Sequence, residues 1–182
     1  MDAGKILDLI GAASEDRAVA LVGIAGHGCA GKTTLARMIP GAQCVATDEF
    51  WTGDGFDIER LAREVVAPLS RGAAARFASY DWATRAPRGS RTIEPRGIVI
   101  IEGVCALHRR LRDAYAVRVW VDAPADVRLA RAVARDGEAA RADWVERWIP
   151  SEDRYVERDD PISCAHLVIE NAGAFAAADI AQ

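Results

Sequence analysis

Two spacings of apolar residues alternate along the chain. Ala18–Ala25 (AVALVGIA) is a continuous apolar run leading into glycine, the pattern of a strand buried on both faces. Ile98–Ile101 (IVII) and Val117–Val121 (VRVWV) repeat it, and Cys44–Thr47 and Leu167–Ile169 are shorter candidates. Between them the period changes. Thr33–Ile39 reads as a helix, and Ile58–Leu69 carries Ile58, Leu61, Val65, Val66 and Leu69 at helical spacing. Val127–Arg135 and Ala139–Val156 are the remaining helices.

Strand and helix in alternation predict an α/β fold, a doubly wound and mainly parallel sheet with helices on both faces. Residues 1–182 are read as one domain without an internal repeat. Arg71–Pro95 shows neither period and is rich in Arg, Gly, Pro and Ser, so it is expected to be an irregular excursion over the sheet edge. Its aromatics Phe77, Tyr80 and Trp82 argue that it is more than a linker.

Composition narrows the class without deciding it. Apolar residues make up 51% and charged residues 27%, enough to bury a core without staples. A net charge of -4 argues against a strongly basic nucleic-acid binder. No apolar run approaches the roughly 18 residues of a membrane span. The start, MDAGKILDLIGAASEDR, is acidic and lacks the apolar stretch of a signal peptide. These points favour a soluble cytoplasmic protein, with room for a homo-oligomer. Cys29, Cys44, Cys105 and Cys164 are too scattered for a zinc site and read as reduced thiols. Lys5 and Lys32 are the only lysines, so chemistry that needs a lysine points to Lys32.

Gly26, His27, Gly28, Cys29, Ala30, Gly31, Lys32 and Thr33 spell G-x-x-x-x-G-K-T between an expected strand and an expected helix, with Thr34 following. Such a loop turns backbone N–H groups toward a polyphosphate at a helix N-terminus. Lys32 would neutralise the β- and γ-phosphates of ATP, and the Thr33 hydroxyl would ligate Mg²⁺. The side chains of His27 and Cys29 admit two readings. Either both point away while their N–H groups bind, or the Cys29 thiol has its pKa lowered by the helix N-terminus.

The loop names a nucleoside triphosphate but no reaction. Asp48 in T-D-E-F-W (Thr47–Trp51) lies just after the second strand, where it would accept a proton from a substrate hydroxyl or else cap the next helix. Glu102 closes IVII, a position suited to Mg²⁺ or its water shell. Arg128, Arg131 and Arg135 stand at i, i+3 and i+7, one helical face of three cations. They either meet the γ-phosphate or form a solvated face paired with Asp126, Asp136 and Glu138.

In this order, GHGCAGKTT, TDEFW, GFDIERL (Gly55–Leu61), YDW (Tyr80–Trp82), IIEGVCAL (Ile100–Leu107) and RLARAVARD (Arg128–Asp136) resemble the uridine kinase and phosphoribulokinase group of P-loop kinases. The resemblance implies a P-loop NTPase fold with a helical lid near residues 126–141, and phosphoryl transfer from ATP with Mg²⁺ to a nucleoside-like hydroxyl. It assigns Asp48 as base, Thr33, Asp48 and Glu102 to Mg²⁺, and the lid arginines Arg131 and Arg135 to the phosphates. Phe50, Asp57 and Tyr80 would contact the acceptor, with Asp57 on the ribose hydroxyls. The group usually carries a histidine after YD(F/Y). Here Arg85 stands near that place, and arginine donates only. Uracil specificity therefore does not carry over. Nicotinamide riboside, pantothenate or a sugar phosphate are the other acceptors considered, and a non-catalytic ATP-binding regulatory module is the rival from another class.

Overall fold

A computed structural model describes residues 3–13 and 18–173; the single-domain reading of 1–182 extends to residues outside these. Five parallel strands form the sheet in the order β2-β5-β1-β6-β7. They are β1 (Val19–Ala25), β2 (Gln43–Ala46), β5 (Gly97–Glu102), β6 (Val117–Asp122) and β7 (Leu167–Glu170). Each lies where the apolar runs predict it, within a residue or two.

The runs are continuous because both faces are covered. Leu21 and Ala25 of β1, Val99 and Ile101 of β5, and Trp120 of β6 pack into one core. Val22 and Ile24, Ile100, and Val117, Val119 and Val121 pack into the other. The period of two is present but hidden, since apolar residues serve both sides. Helix α1 (Ala3–Ala13), which the sequence reading had not picked out, buries Ile6 and Ile10 on the second face. Helix α2 (Lys32–Arg37) adds Leu35 to the same face.

Helix α3 covers residues 58–70 and helix α5 covers residues 141–159, with α4 (Ala125–Asp136) between them in the chain. Both long helices contain one widened π turn, Ala62–Val66 in α3 and Trp144–Trp148 in α5. A proline follows each within two residues, Pro68 and Pro150. Proline has no N–H for the helical ladder and its ring crowds the carbonyl four residues back, so the turn before it opens.

Arg71–Pro95 is not irregular. It forms an antiparallel hairpin of β3 (Ala75–Asp81) and β4 (Ala86–Ile93), whose register slips between Ala78 and Ser79. Ala75, Phe77 and Ser79 face inward and alternate with exposed neighbours. The strand period was written in ARFASY, but the surrounding Arg, Gly and Pro masked it.

The chain leaves β1 toward β2 on one side of the sheet and crosses from β5 to β6 on the other, so the strand ends open a crevice beside β1 and β5. Gly103, directly after β5, lets the crevice close up. It has φ +145°, and a Cβ there would lie 1.8 Å from Thr47 Oγ1. Only glycine allows the turn after β2 to pack against the end of β5.

Replacing Gly103 with Ala should cost roughly 2–4 kcal/mol in urea unfolding, from overpacking and backbone strain. Adding Thr47→Ala to that variant should recover part of the loss, because the obstructing atoms belong to Thr47. No recovery would place the cost in the backbone alone.

Candidate active site

The loop after β1 is held in shape by its own backbone. Ala30 N–H donates to the His27 carbonyl at 3.2 Å, and Gly31 and Cys29 take left-handed φ of 105° and 58°. The Lys32 ammonium, largely buried, donates to the same His27 carbonyl at 2.8 Å. The Thr33 hydroxyl, on the first turn of α2, donates to Glu102 Oε1 at 2.9 Å. Glu102 ends β5, opposite Ile24 of β1 and Ala46 of β2 in the register. Asp48 stands two residues beyond Ala46, in the short helical turn Thr47–Phe50. Three adjacent strand ends thus bring Lys32, Thr33, Asp48 and Glu102 to one crevice.

Helix capping falls to other residues than Asp48. Glu49 Oε1 accepts from Ala46 N–H at 3.1 Å and pairs with Arg91. Asp57 Oδ1 accepts from Arg60 N–H at 2.9 Å and caps α3. Asp48 opens onto the crevice while protein crowds its flanks, and loss of water there pushes its pKa up. Lys32 and then Arg135 oppose that rise. Burial raises Glu102 as well, against the pull of Lys32 and the Thr33 hydrogen bond, with Asp48 pushing the same way as burial.

The oxygens of Thr33, Asp48 and Glu102 are hard donors, the kind Mg²⁺ prefers, and they are few enough to leave room for phosphate oxygens and water. These residues therefore fit a Mg²⁺–nucleotide.

The residues expected to contact an acceptor are divided. Asp57 lines a cavity of about 530 Å³ with Trp51, Phe56, Trp148, Glu152 and Tyr155. Tyr80 lines another, of about 600 Å³, with Glu49, Ser79, Arg88 and Arg91. Phe50 reaches neither. It is 0% exposed, packed on Phe77 at 5.0 Å with the Arg60 guanidinium over its ring, so its expected acceptor contact gives way to a core role. Arg85 occupies the exposed hairpin turn at φ 52° and lines neither cavity, so the place expected to replace the histidine is a turn tip.

The three arginines of α4 share one helical face but not one environment. Arg128 is buried, with Nε donating to the Ala123 carbonyl at 3.0 Å and Nη1 3.9 Å from Glu152. Arg131 is buried and donates to the carbonyls of Cys29 (3.2 Å), Asn171 (3.1 Å) and Gly173 (2.8 Å), tying the phosphate loop to the segment after β7. Arg135 alone is more open. It forks onto Asp136 at 2.7 and 2.9 Å and lies over the Trp144 ring.

His27 packs edge-on against Trp120 and its Nε2 stands 3.3 Å from Asp153. Burial, then Arg128, lowers its pKa against the pull of Asp153. The Cys29 thiol is pushed up by burial, with Arg135 and Lys32 pulling the other way.

Sequence reasoning passed over Glu152 and Tyr155 and read Trp148, with Trp144, as packing alone. The spacing of Trp148, Glu152 and Tyr155 at i, i+4 and i+7 puts them on one face of α5, a signal that was available in WVERWIPSEDRYV. It also assigned nothing to His108, which lines the Asp57 cavity.

Residues 49–174 match the Phosphoribulokinase / Uridine kinase family. The chain is 31% identical over 142 residues to Uridine kinase-like protein 3 of Arabidopsis thaliana, covering 64% of this chain and 30% of that protein. It is 30% identical over 146 residues to the uridine kinase of Staphylococcus aureus (strain Newman), covering 66% and 70%. The matched part makes up about a third of each Arabidopsis relative. A solved structure described as a possible uridine kinase from Bacillus stearothermophilus shares the fold, with TM-score 0.67 and 20% identity over 91% of this chain and 99% of that one. The match runs through the turn that carries Asp48's neighbour Glu49, the end of β5 and the whole of α4 and α5, and the chain belongs to the Phosphoribulokinase / Uridine kinase family.

Proposed function

We propose that the chain transfers the γ-phosphoryl group of ATP to a hydroxyl of a small metabolite, with Mg²⁺, and that the acceptor is nucleoside-like. The observation that carries this is the convergence of Lys32, Thr33, Asp48 and Glu102 at the ends of three neighbouring strands. A module that only binds ATP has no use for Asp48, a carboxylate open to the crevice beside the metal-suited pair. Family membership and the relatives named uridine kinase support the same reading. No helix among the described residues is long and apolar enough to cross a membrane, in keeping with a cytoplasmic setting.

In this mechanism the N–H groups of residues 26–33 hold the polyphosphate, and Lys32 leaves the His27 carbonyl for its charge. Thr33, Glu102 and Asp48 would hold Mg²⁺, which when bound neutralises charge on the β- and γ-phosphates. Asp48 takes the proton of the attacking hydroxyl, a task its raised pKa suits. Arg135, near Asp48, is the α4 arginine best placed to reach a phosphoryl group, while Arg131 acts by anchoring the loop. The acceptor occupies the cavity with Asp57, Trp51 and Trp148. Arg147 and Arg158 also line it, which favours a second class of acceptor bearing a carboxylate or phosphate, as in pantothenate or a sugar phosphate. A coupled ADP-release assay across nucleosides, pantothenate and sugar phosphates decides between them, and no ADP release with any acceptor would favour the binding module.

Lys32→Ala should lower kcat by about two orders of magnitude or more, the scale of a lost electrostatic contact in the transition state. Near wild-type turnover would end the phosphate-loop mechanism.

Asp48→Asn should lose roughly 10²–10⁴ in rate while still binding nucleotide in calorimetry. In the wild type kcat/KM should fall on acidification at a pH above the ordinary carboxylate value, because protonated Asp48 cannot accept a proton. The raised folded pKa also means that ionising Asp48 costs stability as pH climbs through it. Asp48→Asn should therefore melt no lower than wild type at neutral pH. A rate unaffected by this substitution would move the base elsewhere.

Asp57 serves both α3 and the cavity, and two substitutions separate the roles. Asn can keep the cap, whereas Ala should cost about 1 kcal/mol of stability. If Asp57 holds ribose hydroxyls, Asp57→Asn should narrow the ribo/deoxy ratio of kcat/KM by roughly tenfold or more. An unchanged ratio would leave Asp57 as a cap alone.

A further inference from the structure

Two neighbouring residues of α5 grip two neighbouring residues of the phosphate loop. Glu152 Oε2 accepts from Gly28 N–H at 2.9 Å, and Asp153 Oδ1 stands 3.3 Å from His27 Nε2. The Glu152 side chain is only 8% exposed, and its nearest cation, Arg128 Nη1, is 3.9 Å away. Trp144 closes the contact, because a Cβ on Gly28 would lie 2.7 Å from both its ring and Glu152 Oε1. A carboxylate this buried is costly unless its charge is met. Here the Gly28 N–H group meets it, helped by the charges of Lys32 and Arg128.

Those are the partners a phosphate oxygen would use. An anionic acceptor from the chain itself sits on a backbone N–H of the loop, within the field of Lys32. A polyphosphate that enters the loop brings further negative charge beside a buried negative charge, and it competes for the same donors.

We infer that Glu152 is a built-in competitor of the nucleotide: it occupies Gly28 N–H in the empty loop and must yield, with the wide-turned α5 that carries it, when polyphosphate binds. The inference rests on the kinase reading, in that the loop takes a nucleotide. It assigns to Glu152 a role in setting nucleotide affinity, distinct from the roles of Lys32, Asp48 and Glu102. A competitor held in the free protein lowers apparent affinity by the fraction of molecules it blocks.

The test is calorimetric titration of wild type, Glu152→Gln and Glu152→Ala with Mg²⁺–ADP and with inorganic tripolyphosphate. Removing a charge-assisted hydrogen bond from the free state should tighten both ligands about tenfold in Glu152→Ala. The gain should be smaller in Glu152→Gln, whose uncharged oxygen still accepts from Gly28. A residue that merely shapes the loop would give the opposite sign, because its loss loosens the cradle. Should the alanine variant fail to fold, the glutamine variant carries the test. Equal or weaker binding in folded variants, with wild type binding normally, overturns the competitor alone. A wild type that binds neither ligand overturns the kinase reading and this inference with it.

Discussion

The crevice depends on one half-buried contact, the 2.9 Å hydrogen bond from the exposed Thr33 hydroxyl to the buried Glu102. It joins the first turn of α2 to the last residue of β5, and so fixes the phosphate loop against the strand next to β1. Glu102 is a carboxylate that burial makes costly to ionise, and Lys32 and Thr33 reduce that cost without removing it. A site left with unspent electrostatic demand of this kind suits a divalent cation, which would supply what the protein withholds. The close pass of Thr47 over Gly103 then places Asp48 on the opposite wall. Metal-suited oxygens and a crowded carboxylate end up together because two strand ends are held this near.

The sheet was legible because each strand is an uninterrupted apolar run, and the loop because its glycines and Lys32 have no cheaper explanation. Glu102 was legible by position, at the end of IVII. The hairpin was not, because alternation over ARFASY is short and the flanking Arg, Gly and Pro read as loop. Phe50 illustrates a different failure. A motif position identifies a residue's neighbours in the chain but not the direction of its side chain, and here Phe77 and Arg60 enclose it. Arg85 fails for a third reason. The turn Trp82–Arg85 puts it at φ 52° on the exposed tip, so proximity in sequence to Tyr80 does not become proximity in space.

The arginines of α4 show how a periodic charge pattern can mislead. Spacing at i, i+3 and i+7 set them on one helical face, and the usual inference is that a shared face has a shared purpose. The face is shared, but its surroundings change along its length. Arg128 meets Ala123 and Glu152 near the start of the helix, Arg131 meets the loop and the segment after β7, and Arg135 emerges at the end. Arg128 gives its Nε to one backbone carbonyl and Arg131 donates to three, which makes the buried pair braces. Arg135, near the helix C-terminus, is the only exposed one of the three.

Helix α5 ties the two halves of the site together. Its residues Trp148, Glu152 and Tyr155 wall the cavity with Asp57, while Glu152 also sits on Gly28 of the phosphate loop. One turn therefore touches both the phosphate loop and the Asp57 cavity, and any shift of that turn is felt in both. The π turn Trp144–Trp148, opened by Pro150, lies immediately before it and lacks the regular ladder that would resist such a shift. Coupling between the phosphate loop and the Asp57 cavity needs no relay through the sheet. The helix that carries Glu152 already borders both.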